Sequence, residues 1–175
     1  MTINMKKYFP SISLKIISII FHAILFAAVP QTGKAQYNTI HNSRIASLQV
    51  VSGTDWLSMP ITKLGGNAIN IDFDDMTHDY HRYTYKITHC EANWKESEGL
   101  FDTDYLQGFN GELVIDDIEQ SLNTNHQYTH YHLSIPNENC RIKMSGNYRL
   151  TVYDDNAEEG ENIMFTAYFM VVDPK

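Results

Sequence analysis

The stretch YTYKITHCEANW, Tyr83–Trp94, decides the fold. Tyr83, Tyr85 and Ile87 alternate with Thr84, Lys86 and Thr88, the period of two of a strand with one packed face. Its aromatic and β-branched residues suit a pleated, buried surface. Cys90, a short polar step and Trp94 follow, so the strand runs into a tight corner. A Trp at such a corner is expected to cap the core, and Trp94 is read as structural. Nothing in the stretch carries reaction chemistry.

The same period recurs on both sides. Ile69, Ile71 and Phe73 alternate with Asn70, Asp72 and Asp74; Tyr131, Leu133 and Ile135 alternate with His130, His132 and Ser134. Tyr148, Leu150 and Val152, then Phe165, Ala167, Phe169 and Val171, define two more strands, and Tyr131 and Tyr148 are assigned to the core. Shorter strands are expected at Ser47–Val51, with Leu48 and Val50 facing in, and within Glu112–Leu122 around Leu113, Ile115, Ile118 and Leu122. Pro60 confines Trp56–Ile61 to an edge or a connection. Turn signals separate the segments and no amphipathic helix is found. The fold class is therefore all-β: an immunoglobulin- or fibronectin-III-like sandwich of about seven to eight strands over residues 45–173.

The first 35 residues read differently. Lys6, Lys7 and Lys15 precede the apolar run Ile16–Val29, and Gly33 and Ala35 put small residues at the cleavage positions. This is the order of a secretory signal peptide, residues 1–35, followed by a flexible lead-in over 36–44. Removing 35 of the 175 residues leaves Gln36–Lys175, 140 residues, with no further run long enough to span a membrane. All 21 acidic residues and nine of the 13 basic ones remain, a net charge of −12. So acidic a chain excludes nucleic acid as a partner and gains nothing from anionic lipid. Cys90 and Cys140 form the one pair that could bridge in an exported protein.

Chemistry is sparse. His130 and His132, two apart, share the outer face of one strand and are the candidate metal ligands. No zinc or calcium ligand spacing, nucleophile elbow or phosphate loop is present, so no cofactor is called for and the chain is read as no enzyme. The apolar-rich segment between Lys95 and Gly111 either folds back over the sandwich or presents a contact surface, with Tyr105, Leu106 and Phe109 as its protein-binding candidates; Trp56 is a further surface-recognition candidate, with core packing as the other use of each ring.

Several segments in order carry a resemblance: IDFDD (Ile71–Asp75), YKITHCEANW (Tyr85–Trp94), YLQGF (Tyr105–Phe109), SLNT (Ser121–Thr124), YTHYHLSIPNEN (Tyr128–Asn139), SGNYRLTVYDD (Ser145–Asp155) and FMVV (Phe169–Val172). Together they resemble the N-terminal domain of the plug proteins of the type IX secretion system. The resemblance implies a periplasmic, non-enzymatic protein that docks on the outer-membrane translocon barrel and seals it. Members continue beyond this domain, whereas this sequence stops at Lys175, so a truncated or single-domain form is expected. Cys140 and His132 depart from the family pattern. The alternative reading is a carbohydrate-binding accessory module of a secreted system.

Overall fold

The computed structural model describes residues 37–108, 113–158 and 161–173; residues 1–35, expected from the sequence to be a signal peptide, lie outside them. Two antiparallel sheets face each other. The first contains β2 (Ile45–Ser52), β4 (Ile69–Asp75), β9 (Thr129–Ile135) and β8 (Asp117–Gln120), in the order β2-β4-β9-β8. The second has β12 (Ile163–Val172), β11 (Gly146–Asp154), β5 (Tyr83–Cys90) and β7 (Leu113–Val114), in the order β12-β11-β5-β7. In immunoglobulin lettering these are A-B-E-D and G-F-C-C′, the expected sandwich of eight principal strands.

Four short strands complete it. β1 (Thr39–Ile40) and β3 (Ile61–Lys63) both pair with β12, the first antiparallel and the second parallel. Between them the side chain of Asn38 accepts from Tyr168 N, and Pro60 O accepts from Met170 N, so this long edge strand is closed to further pairing. β6 (Leu106–Gly108) pairs with β10 (Cys140–Ile142) as a separate ribbon.

Alternation explains the core. Ile69, Ile71 and Phe73 of β4 and Tyr131, Leu133 and Ile135 of β9 face Tyr83, Tyr85, Ile87, Tyr148, Leu150, Phe165 and Phe169 of the opposite sheet. Phe73 stacks on Tyr131 at 5.1 Å and meets Tyr83 and Phe165 edge-on. Each such ring contributes roughly 2–3 kcal/mol by burial. Tyr148, near the start of β11, donates to Met144 O at 2.6 Å, the tyrosine corner of immunoglobulin-like domains.

Leu48 packs against the core as expected but is only half-buried, because Ser47 has φ +54° and the β2–β4 register slips at a bulge between Ala46 and Gln49. Two expectations are corrected. Leu122 is 81% exposed, because β8 ends at Gln120. Trp94 does not cap the core. It sits at φ +64° in the corner after β5 and lies half-buried on the outer face, edge-on to Tyr168 at 5.3 Å.

Candidate functional site

The segment expected to bind a partner is a built piece of the domain. One helical turn, α1 (Asp102–Tyr105), starts where Phe101 N donates to Asp104 Oδ2 at 2.8 Å. Tyr105 is 3% exposed and belongs to the core; its hydroxyl donates to Asp102 Oδ1 at 2.5 Å and lies 3.3 Å from Ile87 O. Burial, and then Asp102, push its phenol well above the ordinary tyrosine range. Tyr105 is therefore no surface contact. Leu106 is half-buried, Phe109 lies outside the described residues, and Phe101, an apolar residue of this segment that was not among the candidates, is exposed.

Leu106 begins β6, whose partner β10 is held by an Asn137 turn. Asn137 Oδ1 accepts from Asn139 N and Cys140 N, and Asn137 Nδ2 donates to Tyr85 Oη at 2.9 Å. Gly108 lets the two strands close up: its φ is +140° and a Cβ there would stand 2.1 Å from Asn139 O. Between this ribbon and the edge of β5 runs a cleft of about 860 Å³, with Ile87, Leu100, Phe101, Leu106, Leu113 and Cys140 on its walls.

The two cysteines are free, correcting the expectation of a bridge. Cys140 faces the core. Cys90 falls on the opposite, outer side of β5, in step with Thr84, Lys86 and Thr88, and is covered by the corner that pairs it with Glu96. Burial pushes the Cys140 thiol up to about 11 and raises that of Cys90, so neither is a ready nucleophile.

His130 and His132 share the outer face of β9, as their spacing implies. The register sets His132 beside Asp72 and His130 beside Asp74 on β4, with ring nitrogen-to-carboxylate distances of 2.6 and 2.8 Å. Asp117 and Glu119 of β8 stand opposite them on the other flank. The imidazoles are thus occupied by cross-strand carboxylates. Among the described residues no group of three or more His, Cys, Asp or Glu is arranged to hold a metal ion.

One feature was only partly visible in the sequence. Trp56, Leu57 and Met59, between β2 and β3, are 76, 93 and 73% exposed. Among the described residues no helix is long and apolar enough to cross a membrane.

The model of the type 9 secretion system plug protein 1st domain matches residues 45–173, the whole sandwich from β2 to the end of β12. A crystal structure of a hypothetical protein from Parabacteroides merdae is similar at 36% identity with a TM-score of 0.73; the match covers 81% of this chain and 35% of that one. The chain thus spans about a third of the length of that structure. No curated protein matches. With eight principal strands in immunoglobulin order and a family match over all of them, the chain belongs to the type 9 secretion system plug protein family, whose first domain it carries.

Proposed function

We propose that this chain is exported through its signal peptide, residues 1–35, and acts in the periplasm as a non-enzymatic protein-binding domain. It docks on the outer-membrane translocon barrel of type IX secretion and helps to close it when no substrate is engaged. The match of residues 45–173 to the plug family carries this reading. The chemistry agrees with it. The hydrogen-bonded Ser97–His89 pair, 2.8 Å apart, has its serine buried, and the outer histidines are tied to Asp72 and Asp74.

The test is recovery of the tagged protein from envelope fractions in mild detergent, with mass analysis of its N-terminus. A chain starting at Gln36, recovered together with the type IX outer-membrane barrel, is the expected result. Recovery in the cytoplasm with its first 35 residues intact, or with glycan and no secretion component, overturns the reading.

A further inference from the structure

The connection from Gly53 to Pro60 carries the chain from the edge of one sheet to the edge of the other. Its polar parts make that crossing. Ser58 Oγ donates to Ser52 O at 2.7 Å and accepts from Ser52 N at 2.9 Å, closing the end of the β2 edge. Leu57 N donates to Asp55 Oδ1, and Ser58 N to Asp55 O. Gln49 Nε2 holds Trp56 O, and Met170 N holds Pro60 O. Backbone, serine and aspartate suffice for the crossing. Trp56, Leu57 and Met59 project from this tied loop into solvent. Ile61, also exposed, continues the apolar surface beside Met170. No charged residue occurs from Trp56 to Thr62. The exposed apolar area is on the order of 500 Å², near the top of the range for the largest patch on a monomer.

We propose, on the reading of the previous section, that Trp56, Leu57 and Met59 are the docking knob of this domain. Their partner is a protein surface that offers an apolar pocket rimmed by Lys or Arg. Charge and side-chain type choose this occupant. A sugar wants flat aromatic faces beside hydrogen-bond donors, but the neighbours of Trp56 here are the aliphatic Leu57 and Met59. An anionic bilayer repels a domain of net charge −12, and no Lys or Arg occurs between Arg44 and Lys63 to anchor it. A second copy meeting the same surface would set Asp55 against Asp55. Trp and Met are enriched at the centres of protein interfaces, and Asp55 at the base of the knob asks for a basic rim. Because the loop is already tied down, docking orders little and loses little entropy.

The experiment places a photo-crosslinking benzophenone residue at position 57 of the full chain in the producing cells. A second chain carries it at the control position 122, also largely exposed (81% against 93% at position 57) but beyond the far edge strand of the four-stranded sheet. The expected result is an adduct from position 57 alone, mapped to an apolar segment flanked by Lys or Arg on a component of the type IX outer-membrane machinery. Trp56→Ser with Leu57→Ser is expected to cut recovery of that component at least tenfold at an unchanged melting temperature. If the double variant melts lower, Leu57→Ser alone carries the same comparison. Adducts to lipid, glycan or a second copy, equal labelling from position 122, or undiminished recovery with the variants overturn the knob while leaving the family-level reading intact. An adduct of the stated chemistry on a protein outside the secretion machinery supports the knob and overturns the reading of its role.

Discussion

The phenol of Tyr83 donates to Asp75 Oδ2 at 2.6 Å, and this bond joins the two sheets through the interior of the sandwich. Asp75, fully buried at the end of β4, also accepts from Thr77 N and Thr77 Oγ1 and lies 2.8 Å from His81 Nδ1. Arg44 Nη2 reaches both Tyr83 Oη, at 3.2 Å, and Asp154 Oδ2, at 2.6 Å. Three stretches distant in sequence, around Arg44, Asp75–Tyr83 and Asp154, are thereby fastened at one end of the domain. Removing one partner strands the others in a medium that cannot rehydrate them.

The pH dependence follows from Asp75. Burial alone would raise its pKa, but the hydrogen bonds from Tyr83 and Thr77 and the nearby His81 outweigh that and hold it below the ordinary carboxylate range. A lowered folded-state pKa contributes stability that is present above the unfolded value, about 3.9, and is lost as pH falls through the folded value. Denaturant midpoints from pH 2 to 7 should therefore fall steeply below about pH 4. Asp75→Asn should lower stability at pH 7 by roughly 3 kcal/mol and flatten that acid limb; an acid limb as steep as the parent's would show that other carboxylates control it.

Trp94 is expected to matter less than a core aromatic. Trp94→Ala removes a half-buried ring and its edge contact with Tyr168, about 1–2 kcal/mol. Tyr148→Ala should cost about 3–5 kcal/mol. Because Trp94 sits at φ +64°, Trp94→Gly should be the milder change than Trp94→Ala, by about 1 kcal/mol. Chemical denaturation of the three variants reads both orders.

Gly108→Ala should break the β6–β10 ribbon. The added carbon meets a backbone carbonyl, Asn139 O, which has no flexible side chain to move aside. A loss of about 2 kcal/mol or more is expected, with faster amide exchange at the paired residues Gln107 and Arg141. Unchanged exchange there would mean the ribbon tolerates the methyl group.

The thiols should behave as two buried groups and not as a bridge. Reductant should leave the melting temperature and the mass of the protein unchanged. Alkylation of Cys90 and Cys140 in the native state should be at least about tenfold slower than in denaturant, since both thiols are buried and burial raises both pKa values. A mass gain on reduction would restore the bridge.

The alternation of Ile69–Phe73, Tyr83–Ile87, Tyr131–Ile135 and Tyr148–Val152 was enough to read the sandwich and most of its core, because a period of two assigns each side chain to a face before any partner strand is known. The ordered motifs likewise led to the plug family. What depends on contacts between distant segments was not legible. β6 forms only against Cys140–Ile142, some thirty residues on, so the sequence left open whether Tyr105 and Leu106 pack on the sandwich or face a partner. Cys90 and Cys140 looked like a pair because composition carries no information about faces. The outward turn at Trp94 rests on one positive φ, and the exposure of Trp56, Leu57 and Met59 rests on Ser58 fastening the loop to the β2 edge. Periodicity is a local property, so the sequence alone determined the principal strands and most of their inner faces; register, bulges, the short strands and the course of the connections arise from hydrogen bonds between remote residues, and those only the tertiary structure decided.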